Sequence, residues 1–334
     1  MPTDDDAVDS QKPNEPNYAG IQTFLKAPVV EPTELTSDID VGVIGLPFDG
    51  AVSNQPGARY GPEAIRRAST YYGSYGGPSL TVETGREIDF DRVELRDCGD
   101  GLVYPNDVGK TRESVQETIG HLADTVFPVI LGGDHYLTYP SYLGVAETLD
   151  EDVGLIHLDA HSDTHGRWDL YGDHWHGSPM NLIADTEYGG YENHAMVGIR
   201  SREDPAFPEL IADGGLYVDY ARDVRDDGIE ACIDRAIDHA TDGVETVYLT
   251  VDIDVIDPAF APGTGTPEPG GLTSWDLLAA MDRLGEVEAI AAMDLVEVAP
   301  RIDPTRATQK LAAYAITRFL EAKFMGPSAN TAAD

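Results

Sequence analysis

Three short stretches of this 334-residue chain concentrate side chains that bind metal ions. Asp159, His161 and Asp163 alternate with Ala160 and Ser162. In an extended chain, positions i, i+2 and i+4 share one face. Asp252 and Asp254 repeat the spacing, with Ile253 turned back toward the core. A third stretch, Gly132-Gly133-Asp134-His135, has two glycines that permit a tight turn presenting His135. Together these supply four carboxylates and two imidazoles. So many carboxylates at one point do not all stay ionised unless cations neutralise them. Oxygen-rich ligation with two imidazoles suits hard or borderline divalent ions, Mn2+ above all, and two of them. A pair of ions roughly 3.5–4 Å apart supplies a hydroxide nucleophile at neutral pH. Any one of these residues reads equally well as a strand-end cap or a core histidine; all six together do not.

These residues need elements to carry them to one place. Apolar, β-branched runs at Asp40–Phe48, Phe127–His135, Val153–His161, Ala195–Ser201, Val247–Asp257 and Ala289–Ala299 predict buried strands. Helical periodicity marks Gly61–Tyr72, Lys110–Ala123, Asp227–Ala240, Ser274–Leu284 and Thr308–Phe324. Strands that are almost continuously apolar, with helices between them, indicate an α/β fold whose parallel sheet is covered on both faces. The metal-binding types fall at the strand ends, where open α/β sheets hold their ligands. Neither an internal repeat nor a linker interrupts the pattern. One domain is expected over 19–325, between a disordered acidic tail at 1–18 and a loose end at 326–334.

Composition narrows the classes. The chain has 22 Lys+Arg against 60 Asp+Glu, a formal charge of −38, and a 41% hydrophobic content that supports a real core. An isoelectric point near 4.2 argues against a nucleic-acid partner, since a phosphate backbone wants a basic face. No window reaches the roughly 18 apolar residues of a membrane span. Residues 1–20 lack the basic and apolar regions of a secretory signal, so a cytoplasmic location is expected. Cys98 and Cys232 are too few for a disulfide framework or a cysteine-based zinc site. Acids recur along the whole chain and lysines number only five, a surface like that of proteins from salt-loving organisms.

At Gly132–His135, at Asp159–Asp163 and at Asp252-Ile-Asp254-Val-Ile-Asp257-Pro258 with its continuation through Gly271, the sequence resembles the arginase/agmatinase (ureohydrolase) family. The resemblance takes in Pro56–Pro62 and an agmatinase-like Tyr18–Ile21, and runs from about Tyr18 to Phe324. It implies a three-layer α/β/α sandwich with a mainly parallel central sheet, assembled as trimers or hexamers. It also implies one ion held by His135, Asp159, Asp163 and Asp252, and another by Asp159, His161, Asp252 and Asp254. The reaction implied is hydrolysis of a guanidinium group to urea and an amine.

Glu297 in Asp294-Leu-Val-Glu297 matches the family's guanidinium-binding glutamate, and His176 its proton-shuttling histidine, with His174 and His165 as rivals. A carboxylate suits a planar cationic fork, and histidine is the usual proton carrier near neutral pH. Arginase holds its substrate's carboxylate with an asparagine where this chain has His165, which disfavours arginine. Trp168, Tyr171 and Trp175 in the insert 166–176 supply an aromatic group for a narrow or cationic pocket, and Trp275 is a further pocket candidate. Agmatine is the first expectation. Gln55, Tyr136 and Trp275 depart from the family pattern and keep 4-guanidinobutyrate, other guanidino acids and free guanidine open, with nickel as a second metal. A non-catalytic metal-binding scaffold is the reading from another class. Gly263, Gly265 and Gly271 shape a loop beside the metals or serve turn chemistry alone, and Arg59 is expected to play a structural role, donating to a loop carbonyl or pairing an acid.

Overall fold

A computed structural model describes residues 16–73 and 78–326. The expected loose ends lie outside the described residues, apart from 16–18 and 326. In chain order the strands are β1 Val41–Gly45, β2 Ser79–Thr81, β3 Arg86–Ile88, β4 Leu95–Asp100, β5 Phe127–Leu131, β6 Val153–Leu158, β7 His194–Ile199, β8 Tyr217–Tyr220, β9 Thr246–Asp252 and β10 Ile290–Val296. The helices are α1 Gly61–Ser69, α2 Val108–Ala123, α3 Thr138–Leu149, α4 Pro179–Ala184, α5 Phe207–Ala212, α6 Ala221–Asp227, α7 Ile229–Ala240, α8 Ser274–Gly285 and α9 Ala307–Met325.

Strands β2 and β3 form a separate antiparallel pair. The other eight form one sheet in the order β4-β1-β5-β10-β9-β6-β7-β8. Every pairing within it is parallel, not merely most of them. Alternation splits each strand between two cores. On one face Val41, Val129, Ile156, Leu249 and Leu295 pack with α1, α7, α8 and α9. On the other, Ile44, Ile130, Leu155 and Tyr248 pack with α2, α3, α4 and α5. The result is the expected α/β/α arrangement.

All six expected strands form, but each stops short of its polar end, where the chain turns away. The expected helix Asp227–Ala240 is corrected: Gly228, at φ +90°, ends α6 and α7 starts afresh. Strands β4 and β8 carry polar residues at the sheet edges, so neither shows an apolar run. Helix α3 is buried from Thr138 to Ala146, apart from Tyr139, and therefore lacks the polar stripe that announces a surface helix.

Candidate metal centre and active site

Four adjacent strands, β5, β10, β9 and β6, end at the same edge of the sheet, and the sequence-nominated residues follow them. After β5 the chain makes the Gly132-Gly133 turn, and Gly133 has no room for a side chain: a Cβ there would lie 1.7 Å from the Phe48 carbonyl oxygen. The turn delivers His135, which is fully buried. Its Nδ1 faces Asp163 Oδ2 at 2.9 Å, Asp159 Oδ2 at 3.0 Å and Asp252 Oδ2 at 3.3 Å. None of the three approaches is a hydrogen bond, and Nδ1 is left without a partner. Beside it, His161 Nδ1 faces Asp254 Oδ2 at 3.1 Å and Asp159 Oδ1 at 3.5 Å. Asp159 therefore presents one oxygen to each imidazole.

The cluster is electrostatically unbalanced. Burial, followed by the charges of Asp254 and Asp159, pushes the Asp252 carboxyl well above its usual range. Burial pushes Asp254 up to about 6, although His161 pulls the other way. Asp163 holds a left-handed backbone at φ +49°, and Glu297 another at φ +61°, conformations that non-glycine residues adopt at a cost of about 1–3 kcal/mol.

Glu297 is buried at the end of β10, and its Oε1 accepts from the His135 backbone N–H at 3.0 Å. The same oxygen lies 2.9 Å from His176 Nδ1. On the other side of the ring, the Ser53 N–H donates to Nε2 at 3.0 Å, with Ser53 Oγ at 2.6 Å. A backbone donor at Nε2 requires a lone pair there, so the neutral ring carries its single proton on Nδ1, toward Glu297. Burial opposes a second proton, but Glu297, Asp163 and Asp134 outweigh it and push His176 up to about 9. Ser53 was not legible in the sequence: it sits on a loop fixed by Asp49, which accepts from the Gly57 N–H at 2.8 Å and pairs Arg59.

His157 was likewise missed. It lies two residues before Asp159 on the same face of β6, and its Nε2 is 2.8 Å from Asp159 Oδ2. The period-2 pattern held the clue: an imidazole buried in an apolar strand one rung below a carboxylate.

Of the pocket candidates, His165, Trp168 and Trp175 come together. The His165 ring stacks on Trp175 at 5.6 Å and on Trp168 at 6.4 Å, and Tyr171 stacks on Trp175 at 5.3 Å. Trp175 also borders His176 at 5.9 Å. Trp275 does not join them: it opens α8, 53% exposed, with no ring contact among the described residues. His174 points to the Tyr136 hydroxyl at 3.3 Å, away from Glu297, and thereby occupies the tyrosine that departs from the family pattern.

The loop after β9 is built around Asp257, whose carboxylate accepts from the N–H groups of Ala259, Gly270 and Gly271 at 2.7–3.2 Å. Arg200 clamps it through the carbonyls of Asp254, Val255 and Glu268. Gly265 is there for close approach, since a Cβ would meet the Gln55 carbonyl at 2.6 Å. Thr266 from this loop donates to Asp254 Oδ2 at 3.2 Å.

The profile of the Arginase family matches residues 39–321. The chain is 34% identical over 302 residues to the guanidinopropionase of Pseudomonas aeruginosa, covering 88% of both. It is 36% identical over 301 residues to the proclavaminate amidinohydrolase of Streptomyces clavuligerus, covering 89% of this chain and 91% of that one. The solved structure of that enzyme superposes with a TM-score of 0.80 at 34% identity, over 93% of this chain and 99% of the other. An agmatinase from Chromobacterium violaceum is 35% identical over 305 residues, covering 90% of this chain and 88% of that one.

Proposed function

The chain belongs to the arginase family, and from that premise we propose that it hydrolyses a small guanidino compound, agmatine first, to urea and an amine at a pair of divalent ions. The observation that carries the metal reading is His135 Nδ1: buried, aimed at three carboxylate oxygens within 3.3 Å and hydrogen-bonded to none of them. A lone pair facing carboxylates is repulsive unless a cation stands between them. The donor set fits such ions, with His135, Asp159, Asp163 and Asp252 around one and Asp159, His161, Asp252 and Asp254 around the other. Oxygen donors with two imidazoles favour Mn2+, with nickel as the second candidate. When bound, the pair supplies hydroxide at neutral pH.

The chain's own groups do the rest. A guanidinium carbon is a poor electrophile, its charge being spread over three nitrogens, so the planar cation must be held still. Glu297 Oε1 is engaged by His135 and His176, and Oε2, without a hydrogen-bond partner among the described residues, takes the guanidinium. His176 holds one proton at Nδ1 against Glu297 and exchanges another at Nε2 beside Ser53, the atom from which the leaving amine is protonated. The ring stack of His165, Trp168, Tyr171 and Trp175, which borders His176, supports an aliphatic cationic substrate. Arg59 is tied to Asp49 and Arg200 to backbone carbonyls, so neither is available to a substrate carboxylate.

The test is urea release in molar KCl, with Mn2+ and then nickel, from agmatine, arginine, 4-guanidinobutyrate, guanidinoacetate, 3-guanidinopropionate and free guanidine. Urea from agmatine alone supports the full reading. Urea from a guanidino acid or from guanidine, with agmatine inert, keeps the hydrolysis and overturns the substrate. No urea from any of them, with metal bound, leaves the scaffold reading.

A further inference from the structure

The sheet register sets three buried polar residues side by side beneath the cluster. His157 of β6 pairs with Thr250 of β9, and Thr250 pairs with Asp294 of β10. Paired residues of a parallel sheet point to the same face, so the three side chains form one rung across three strands. All three are buried, at 1% exposure or less, in strands that are otherwise apolar. The rung lies two residues below Asp159 and Asp252, on the face covered by α3.

The protons around Asp294 and Thr250 can be assigned one by one. The Asp294 carboxylate accepts from the Thr250 hydroxyl at 2.6 Å, the Thr138 hydroxyl at 2.8 Å and the Tyr248 hydroxyl at 2.9 Å. A hydroxyl has one proton, and that of Thr250 is committed to Asp294. Toward His135 Nε2, 3.1 Å away, Thr250 Oγ1 can then only accept. Nε2 therefore carries the hydrogen, and Nδ1 keeps a lone pair aimed at Asp159, Asp163 and Asp252.

We infer that Thr250, polarised by Asp294, is a positioning residue that fixes the tautomer and orientation of His135 for metal binding. The inference rests on the reading of His135 as a ligand. Outer partners of this kind typically change metal affinity about 10–100-fold. Three hydroxyl donors satisfy the one buried carboxylate, which is how Asp294 persists in an otherwise apolar sheet.

The experiment measures manganese affinity by chelator competition on the full chain, and follows the His135 Nε2 proton by NMR in protein loaded with diamagnetic cadmium. Thr250→Val is isosteric and removes the acceptor. It is expected to weaken manganese binding about 10–100-fold and to expose the Nε2 proton to fast exchange, whereas Thr250→Ser restores both. Tyr248→Phe removes a donor to Asp294 but leaves the Thr250–His135 bond, and should bind manganese as the parent does. Should Thr250→Val not fold, Thr250→Ala removes the same hydroxyl and carries the same expectation. Undiminished binding with a protected Nε2 proton in a hydroxyl-free variant overturns the inference alone. Failure of the parent to bind manganese overturns the metal reading and the inference with it.

Discussion

Asp252 and Glu297 show how much a single residue is asked to do here. Asp252 presents Oδ2 to His135 while its Oδ1 accepts the Asp254 N–H at 2.8 Å, so one carboxylate both faces the centre and shapes the turn that supplies the next acid. Asp252→Asn keeps the shape and removes the charge. We expect loss of both ions on dialysis, read as metal content, and loss of urea release; activity retained in that variant would refute the ligand assignment. His176 offers a titration. Its pKa is raised to about 9, and against the pull of burial the hydrogen bond and charge of Glu297 are the leading causes. Glu297→Gln removes that charge, so the His176 ring in metal-free protein should titrate at lower pH than in the parent, followed by NMR. An unshifted titration would place the cause elsewhere. At this scale the ligand types were legible because carboxylates and imidazoles at i, i+2 and i+4 are a local signal. Ser53 and Thr250 were not, because a serine and a threonine acquire a role only from what stands opposite them.

Elements decide how rigidly those residues are held. Gly133 lets β5 turn under Phe48, and the obstruction to any side chain is backbone on the neighbouring segment, at 1.7 Å. No rotamer relieves that, so Gly133→Ala should cost about 3 kcal/mol or more in chemical unfolding and displace His135. At the opposite side of the fold, Asp282 of α8 binds two buried arginines, Arg318 of α9 at 2.9 Å and Arg86 of β3 at 3.1 Å. Glu321 lies in the same buried group, and burial pushes its carboxyl up to about 7, despite Arg318 and the Thr81 hydroxyl. A carboxyl with a raised folded-state pKa stabilises the fold while protonated. That contribution is full below pH 4.5 and is lost as the pH rises through 7. Glu321→Gln should therefore match the parent near pH 4 and exceed it by about 3 kcal/mol at pH 8, measured by urea unfolding. Equal stability at both values would show that the charged form is well accommodated. The central strands were legible as apolar runs. The edge strands β4 and β8 and the buried helix α3 were not, since an edge strand is half polar and a buried helix has no polar face.

The molecule as a whole carries −38 charges over 334 residues. Self-repulsion on that scale acts against the compact state unless salt screens it over about 3 Å, the Debye length at 1 M. Melting curves in millimolar KCl should lie ~10 °C or more below those in molar KCl, several kcal/mol at roughly 2–4 °C for each. Coincident curves would remove the salt-loving reading. Charge, alternation of strands and helices, and the spacing of the six ligand-type residues are properties of composition or of short windows, and the sequence by itself determined them. Strand order is of another kind. The sheet interleaves β5, β10, β9 and β6, so that His135 and Glu297, 162 residues apart, share a hydrogen bond. The same order puts His157, Thr250 and Asp294 on one rung. Pairing across such separations is set by the packing of both faces of the sheet at once, which no local pattern encodes. That is why the candidate ligands could be read in the chain, while the groups that hold them could be read only in the fold.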